Sequence, residues 1–443
     1  MGCTIDGRGE YFAGLDLGSQ SVRAGLFSRE GRLLHMVQVP VGTRVDGLSV
    51  TQDPDEYWEA TCLCLERLLR ETKAGREKPL PLGVATQRSS FLFFSREGKA
   101  LTPLVSWRDT SASLILSRWE GLRGEIYRMT GLPLTPYYSG PKISMYGEGV
   151  PEGSLFGPLI TFIVYRLTGG ALFVVDPGNA QRTLLFDINE GAFSEKLLSL
   201  FGMPEGVSLP EVVDTHGFLA KVRVGEGSFS LLSLNGDQQA AALLPLSLFP
   251  GSCFINYGTG GFLLAPTDDV PPHPQGFIVT VGEKKGGRTL YLVEGTVNGV
   301  GEMISRASRQ CGVDPREVEN VPSGPIPAVA GAPLGTGAPF WGPPVPFVSE
   351  VECGEAGGEE FLAGTVYGTA CFLKEMREKM EALLERSFSL AVVTGGLSRF
   401  PGFALFVSAL LGIPCVRPEV EEMTCMGAAL GLLSSRGEMG GKG

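Results

Sequence analysis

Apolar runs and polar turns alternate along the first part of this chain. Residues 11–18 form an apolar run, and residues 21–27 alternate between apolar and polar side chains with the period of a strand. The short interval between the two runs predicts a hairpin whose tip is formed by Gly18, Ser19 and Gln20.

A helical pattern follows this hairpin. Asp53-Pro54 is typical of an N-cap followed by the first helical residue. Behind it, apolar side chains recur at helical spacing at Trp58, Cys62, Leu65 and Leu69. Further strand-like runs follow at residues 81–86, 90–94 and 104–107. This alternation of strands and helices predicts the α/β class.

The second half of the chain repeats the alternation of strand-like runs, glycine-rich turns and helical runs. After an apolar run at 231–234, Asp237 lies at the start of a helical run that continues through residue 244. Runs at 252–257 and 262–265 are joined by a glycine-rich turn much like the first hairpin tip, which hints at a duplicated domain. The remaining predictions are an irregular stretch at 321–346, a helix at 372–383, a strand at 390–393 and a helix at 403–411.

Length and charge limit the possible functions. A chain of 443 residues exceeds the usual size of one hydrophobic core, so we expect two domains, residues 1–234 and 235–443. Acidic residues outnumber basic ones by 48 to 37, and the formal charge of −11 disfavours nucleic acid and anionic membranes as partners. Neither a leader pattern nor an apolar run of the ~18 residues that cross a bilayer is visible, which predicts a soluble, cytoplasmic protein.

Histidine and cysteine are weak candidates for chemistry in this chain. It has three histidines and nine cysteines, with no C-x-x-C pair and no metal-ligand spacing. We therefore expect reduced cysteines and look to carboxylates for proton transfer.

Three glycine-rich turns, each directly behind a strand-like run, are candidate phosphate sites. They follow Asp16, surround Thr259 and contain the pair Gly395-Gly396. Backbone N–H groups in such turns can cradle phosphate oxygens, although a single turn of this kind is more often an ordinary hairpin or helix cap. No G-x-x-x-x-G-K-[ST] loop is present, which excludes a Walker-type nucleotide site.

Five blocks of sequence follow the order of one known family. They are GLDLGSQSVR at 14–23, TQR at 86–88 with WRD at 107–109, PYYSG at 136–140, GDQQAA at 236–241 with YGTG at 257–260, and TGG at 394–396. With these blocks the chain closely resembles the FGGY family of carbohydrate kinases, which has the actin-like ATPase fold.

The resemblance implies an α/β protein of two actin-like (ribonuclease H-like) domains, each a mixed β-sheet flanked by helices, with a catalytic cleft between them. The first domain would bind mainly the sugar and the second mainly ATP. The implied activity is ATP-dependent phosphorylation of a hydroxyl group of a small sugar or polyol, with ATP and Mg²⁺ as cofactors. A small molecule is the expected partner, and a homodimer is left open.

The resemblance also implies roles for individual residues. Asp237 matches the catalytic base, and Asp16 matches the residue that holds magnesium through water. The substrate positions are matched by Gln87, Arg88, Trp107, Asp109, Tyr137 and Phe262. The ATP positions are matched by Gly18, Ser19, Gln20, Gly258, Thr259, Gly260, Gly301, Gly395 and Gly396.

Two departures from the family pattern leave alternatives open. Glycerol kinases, which belong to this family, carry a Glu after the Gln-Arg pair, whereas this chain has Ser89, so glycerol itself is in doubt. The usual Asn behind Gly396 is absent, which leaves the nucleotide base preference open. An ATP-dependent switch or scaffold of the same fold and a carbohydrate-binding member without kinase activity are the alternative hypotheses.

Overall fold

The computed structural model describes residues 10–258, 260–420 and 422–434, with the backbone alone for 432–434. Its strands are β1 Tyr11–Leu17, β2 Ser21–Ser28, β3 Leu33–Pro40, β4 Arg44–Asp46, β5 Ser49–Gln52, β6 Leu80–Thr86, β7 Phe91–Phe94, β8 Leu104–Val105, β9 Leu155–Pro158, β10 Val174–Val175, β11 Phe186–Asp187, β12 Ala192–Phe193, β13 Glu211–Val212, β14 His216–Val224, β15 Gly227–Gly236, β16 Ser252–Tyr257, β17 Gly261–Thr267, β18 Ile278–Lys285, β19 Arg288–Val297, β20 Val329–Ala332, β21 Val345–Ser349, β22 Leu390–Thr394 and β23 Cys415–Val416. Its α-helices are α1 Pro54–Thr72, α2 Arg123–Thr130, α3 Ser139–Tyr146, α4 Leu159–Leu167, α5 Pro177–Gln181, α6 Glu195–Leu200, α7 Asp237–Leu248, α8 Val300–Cys311, α9 Cys353–Ala356, α10 Gly358–Ala370, α11 Phe372–Leu384, α12 Phe403–Leu411 and α13 Met423–Ser434, and short 3₁₀ turns cover Ser111–Leu114, Leu116–Leu122 and Gly396–Arg399.

The chain divides into two compact units. The first contains the described residues within 1–244, 280–290 and 420–443, and the second those within 245–279 and 291–419. The predicted boundary follows residue 234, whereas the structure keeps the start of α7 and the whole of α13 with the first unit. The physical reason is that α7 continues directly from β15, a strand of the first sheet, and that α13 packs on β1 and β6 of that sheet.

A six-stranded mixed sheet forms the centre of the first unit, in the order β14-β15-β6-β1-β2-β3. Strands β1, β2 and β3 form an antiparallel meander, while β1, β6 and β15 run parallel to one another. The hairpin predicted at residues 18–20 is confirmed, with Leu17 paired to Val22. Parallel neighbours bring their carboxyl ends to one edge of the sheet, and this edge carries most of the predicted site residues of the first unit.

Helices cover this sheet through both side-chain packing and close backbone contact. Helix α1 begins as predicted, because the Asp53 side chain accepts a hydrogen bond of 2.9 Å from the Asp55 N–H, and it packs on β2 and β3. Helix α13 approaches the other face so closely that a Cβ on Gly14 would lie 1.9 Å from the Cys425 carbonyl oxygen, and one on Gly83 1.8 Å from that of Ala428. Only glycine permits this approach of helix to strand.

The sheet of the second half repeats the same scheme, in the order β18-β19-β17-β16-β22-β23. Strands β16, β17 and β19 are antiparallel neighbours, and β16, β22 and β23 are parallel. The core against which the helices pack contains Ile255, Val393, Val366, Met376 and Phe403, all buried.

Most of the elements predicted from the sequence are confirmed. The helix at 403–411 is found with these bounds, and the strands at 252–257 and 390–393 differ by at most one residue. The prediction of an irregular stretch at 321–346 is wrong in part, because β20 lies within it and pairs antiparallel with β21, which begins at its end. These strands were missed because proline and glycine interrupt the alternation of apolar and polar side chains in this part of the sequence. Among the described residues, no helix combines the length and the apolarity that a bilayer crossing requires.

Candidate active site

Three parallel strands of the first unit end side by side. Leu17 of β1 is in register with Thr86 of β6, and Thr86 is in register with Gly236 of β15. The residues that follow these strands are Gly18, Gln87 and Asp237, all predicted site residues that are far apart in the sequence. The sheet therefore gathers the proposed base, the first glycine turn and the Gln-Arg pair at one edge.

Asp237 is the first residue of α7, and about a third of its side chain is exposed. Its Oδ1 accepts a hydrogen bond of 2.8 Å from the Gln238 N–H and lies 3.3 Å from Nε of Arg88. Arg88 is nearly buried and runs across Gly236, where a Cβ would lie 2.8 Å from its Cδ. The glycine before Asp237 thus leaves room for the arginine that contacts the carboxylate.

Asp16 lies one residue before the end of β1 and is buried. Burial raises the pKa of Asp16 to about 7, against the attraction of Arg23 and with further increases from the nearby charges of Asp237 and Glu422. The guanidinium of Arg23 lies 3.8 Å from Oδ2 of Asp16 and also pairs with Glu422. Asp16 and Asp237 are therefore close enough to interact as two negative charges.

A magnesium ion fits the chemistry of the site formed by Asp16 and Asp237. Mg²⁺ binds carboxylate oxygens, keeps several waters and needs only one or two protein carboxylates when phosphate oxygens complete its shell. A divalent cation would also offset the repulsion between Asp16 and Asp237. No cluster of three or more His, Cys, Asp or Glu side chains suited to a metal occurs in the described part of the chain, and the predicted water-mediated binding by Asp16 does not require one.

The backbone of the first hairpin tip is held by hydrogen bonds from residues that the sequence analysis did not predict as site residues. The Tyr57 hydroxyl lies 2.9 Å from the carbonyl oxygen of Gly18, and Nε2 of Gln52 donates to the carbonyl oxygen of Ser19 at 2.9 Å. Gln87 joins them, because its Nε2 donates to Oε1 of Gln52 and to the Tyr57 hydroxyl. The N–H of Gly18 donates to Ser21, so the predicted phosphate contacts of this turn depend mainly on Ser19 and Gln20.

Gln87 is a buried member of this hydrogen-bond network, and its side chain is not accessible at the surface. Only 2% of it is exposed, although its Oε1 lacks a hydrogen-bond partner. The structure therefore favours a supporting role for Gln87, and its contact with substrate stays a prediction. No sequence signal could find Gln52 and Tyr57, because both act on atoms more than thirty residues away in the chain.

Two loops of the first unit carry exposed aromatic rings. Trp107 is 40% exposed and Tyr137 is 44% exposed, so part of each side chain is accessible to a ligand. Hydrogen bonds connect these loops to the segment behind β6, since the Trp107 N–H donates to Oγ of Ser90 and the Ser139 hydroxyl donates to the carbonyl oxygen of Ser89. The structure thus brings both aromatic residues to the Gln-Arg segment.

Asp109 differs from its aromatic neighbours because it is fully buried. Its Oδ2 accepts hydrogen bonds from the Val50 N–H at 2.9 Å and the Tyr146 hydroxyl at 2.8 Å. Its Oδ1 accepts from the N–H and the hydroxyl of Ser111 at 3.0 and 2.6 Å. These four bonds favour a structural role in shaping the loop, and a direct contact between Asp109 and substrate stays a prediction.

The second unit gathers the other glycine turns by the same principle. Because β16, β19 and β22 all run in one direction, their carboxyl ends lie at one edge of the second sheet. The turn behind β16 contains Gly258 and Gly260, and Thr259 between them lies outside the described residues. Gly395 follows β22 with φ +91°, and a Cβ there would lie 2.3 Å from the Tyr257 carbonyl oxygen, so these two turns are in contact.

The remaining predicted residues of the second unit lie at the same edge. Gly301 is in the first turn of α8, which begins just after β19, and Gly396 starts the 3₁₀ turn behind β22. Phe262 is the second residue of β17, and its ring lies under Gly260. Phe262 and the ATP-site glycines from 258 onward belong to the second unit, whereas Asp16, Gly18–Gln20, Asp237 and the other substrate residues belong to the first.

Comparison with known proteins decides the family. The model of the FGGY family of carbohydrate kinases, N-terminal domain, matches residues 11–243. Over 446 residues the chain is 32% identical to a glycerol kinase of Thermus brockianus. The aligned region covers 95% of this chain and 89% of that relative. The chain belongs to the FGGY family of carbohydrate kinases. A glycerol kinase of Xanthobacter autotrophicus is 31% identical to this chain over 448 residues. That alignment covers 95% of this chain and 89% of the relative.

Solved structures show that this FGGY kinase has the predicted fold. It is similar to the glycerol kinase of Plasmodium falciparum with ADP, with a TM-score of 0.82, 21% identity, and 96% of this chain and 92% of that chain covered. It is also similar to the xylulose kinase of Rhodospirillum rubrum, with a TM-score of 0.80, 16% identity and coverage of 98% and 91%. The actin-like α/β fold is thereby confirmed. The chain is a carbohydrate kinase, and kinases of this family use ATP with Mg²⁺.

Proposed function

We propose that this FGGY kinase transfers the γ-phosphoryl group of Mg-ATP to a hydroxyl group of a small polyol or ketose, and that Asp237 accepts the hydroxyl proton. The observation that carries the proposal is the position of Asp237 at the edge where β1, β6 and β15 end. There a partly exposed carboxylate lies beside Arg88, at the same edge as the glycine turn at 18–20. A carboxylate within hydrogen-bond distance of a hydroxyl is suited to general-base catalysis.

The chain's own residues supply positioning and charge in this reaction. Arg88 orients the Asp237 carboxylate, and the aromatic faces of Trp107 and Tyr137 cover the C–H edges of the substrate. The turns at 18–20 and 258–260 and the pair Gly395-Gly396 offer backbone to phosphate oxygens. Bound Mg²⁺, which Asp16 would hold through water, offsets the negative charge of the phosphates.

The substrate class is narrowed by two opposing observations. Relatives 29–32% identical to this chain are glycerol kinases, which favours a small polyol. Ser89, however, is a short side chain, only 7% exposed, at the position where the sequence comparison expects a carboxylate. A shorter side chain leaves room for a longer molecule, so we include glycerol, longer polyols and ketoses among the candidate substrates.

A coupled ADP-release assay tests this proposal. The purified protein is given Mg-ATP and, one at a time, glycerol, longer polyols, ketopentoses and ketohexoses, with a no-acceptor control. We expect ADP release that depends on one class of acceptor, and a phosphorylated product visible by mass spectrometry. Equal release in every well would favour an ATP-dependent switch. Acceptor binding without any release would favour a carbohydrate-binding member that lacks kinase activity.

A further inference from the structure

Lys142 is a lysine that the structure buries completely. It is the fourth residue of α3, and none of its side chain is exposed. A lysine is almost never fully buried unless its ammonium group is paired, because removing the charge from water is costly. The partners of Lys142 therefore decide what it does.

These partners are three backbone carbonyl groups. Nζ of Lys142 donates to the carbonyl oxygens of Ser106 at 2.9 Å, Tyr137 at 3.1 Å and Asp109 at 3.3 Å. In its ammonium form Lys142 has three N–H donors, one for each acceptor, and the neutral amine formed above its pKa keeps two of them. The carboxylate oxygens of Asp109 take their hydrogen bonds from Val50, Ser111 and Tyr146 instead. Lys142 thus binds the backbone of two loops and is not simply one half of an ion pair.

The three carbonyls flank the exposed aromatic residues. Ser106 directly precedes Trp107 and Asp109 closes the same turn, while Tyr137 provides its own carbonyl from a segment almost thirty residues later. Fixing these peptide groups fixes the points from which both aromatic side chains project. The loops share no strand pairing with each other among the described residues, so the lysine supplies a direct link between them.

We propose that Lys142 is a positioning residue for acceptor recognition, which holds the backbone of the Trp107 and Tyr137 loops in one geometry through its three hydrogen bonds. The inference rests on the proposed function, since it assumes that these two aromatic residues face the polyol or ketose. Lys142 touches neither acceptor nor nucleotide in this account. Its loss is therefore expected to act on acceptor binding and not on ATP binding.

Two substitutions separate positioning from packing. Lys142→Met keeps the length and the apolar stem but removes every donor, whereas Lys142→Gln is shorter and keeps two amide donors. If the hydrogen bonds matter, the acceptor KM rises by about 10- to 100-fold in Lys142→Met and less in Lys142→Gln, because misplacement of a binding group by an ångström can cost about 100-fold. A packing role predicts the reverse order, since Met fills an apolar space better than Gln.

The measurements include the KM for acceptor, the KM for ATP and kcat in the wild type, both variants and the control Lys221→Met, which changes an exposed lysine on β14. We expect the KM for ATP to stay within about threefold of wild type. Equal changes in both KM values, or a larger effect in Lys142→Gln than in Lys142→Met, would overturn the proposal. If Lys142→Met does not fold, Lys142→Gln alone decides through its ratio of acceptor KM to ATP KM.

A second readout does not require turnover. Acrylamide quenching of Trp107 fluorescence, isolated by subtracting the matched Trp107→Phe proteins, reports the position of this loop. We expect the quenching constant of Trp107 to change in Lys142→Met and to stay at the wild-type value in Lys221→Met. An unchanged constant would contradict the positioning role. If instead the wild type phosphorylates no acceptor while this quenching change is observed, the proposed function fails and the link between Lys142 and the loop stands.

Discussion

Nε of Arg88 lies 3.3 Å from Oδ1 of Asp237, although 149 positions separate the two residues in the chain. The register of β6 with β15 creates this pair, because Thr86 and Gly236 are neighbours across the two strands. Gly236 has no side chain that would block the arginine. The arginine can therefore orient the carboxylate that we propose as the base.

The most direct test of that role is Asp237→Asn. The amide keeps the shape but cannot accept the hydroxyl proton as a carboxylate does, so we expect kcat to fall by about 100-fold or more. Binding of the acceptor and of ATP should change little, as measured by calorimetry. The control is Asp46→Asn, an exposed carboxylate on β4 whose loss should leave kcat unchanged. Wild-type turnover in Asp237→Asn would refute the assignment.

The Arg88–Asp237 pair predicts non-additive kinetics. Arg88→Met removes the partner that orients the carboxylate, and we expect kcat/KM to fall by roughly 10- to 100-fold, with partial recovery in Arg88→Lys. Combined with Asp237→Asn, the loss should be clearly smaller than the product of the two single losses, because both substitutions disable one unit. A double variant whose loss equals that product would show that the two residues act independently.

The network under the hairpin tip predicts a selective effect of Tyr57→Phe. This change removes the hydroxyl that contacts the Gly18 carbonyl oxygen and Gln87, so we expect a loss of about 1–3 kcal/mol in the free energy of unfolding and a higher KM for ATP. The matched control is Tyr165→Phe, whose hydroxyl donates to the Arg96 carbonyl oxygen in the same unit. This control should lose stability without a change in the KM for ATP. The same KM shift in both variants would argue against a specific role for Tyr57.

Lys142 predicts a dependence of stability on pH. Burial lowers the pKa of Lys142 to about 7, against the opposing attraction of Asp109. Between about pH 7 and the ordinary lysine value near 10, the unfolded chain therefore carries a proton that the folded protein has already lost, so this group makes the free energy of unfolding rise with pH in that window. The slope is at most about 1.4 kcal/mol per pH unit.

Denaturant titrations of wild type and Lys142→Met at several pH values measure this effect. We expect the difference between their unfolding free energies to grow in favour of the wild type from pH 7 to pH 9. Tyr146, which bonds to Asp109, is the other nearby titrating group, and burial raises its pKa above the ordinary value, so it contributes little below pH 9. A difference that is constant over this range would mean that Lys142 does not change its protonation there.

Ser89 predicts the choice of acceptor. Ser89→Glu restores a carboxylate behind the Gln-Arg pair, and a hydrogen bond between a charged group and a hydroxyl is worth about 1.5–3 kcal/mol. We therefore expect kcat/KM for glycerol to rise by roughly 10-fold or more relative to longer acceptors in the ADP-release assay, and Ser89→Ala to produce no such gain. An unchanged preference would show that this position does not select the acceptor.

The sequence by itself predicted the local elements with a clear pattern. Asp53-Pro54 marked the start of α1, the run at 11–18 marked β1, and the blocks around Asp16, Asp237 and Gly395 indicated the family and the proposed base. These features depend on neighbouring residues in the chain, since capping, alternation and glycine turns are local. The predicted irregular stretch at 321–346 was wrong where β20 and β21 pair, because pairing depends on a partner strand.

The tertiary structure alone decided which residues share a place. Strand register brought Gly18, Gln87 and Asp237 to one edge, and it put Arg88 against Asp237. It also revealed that Asp109 is a buried carboxylate bonded to its own chain, and that Lys142 joins two loops. No local sequence pattern encodes these contacts. Hydrogen bonds between residues tens or hundreds of positions apart depend on the register in which the strands pair and on how the loops pack, and not on the neighbouring residues in the chain.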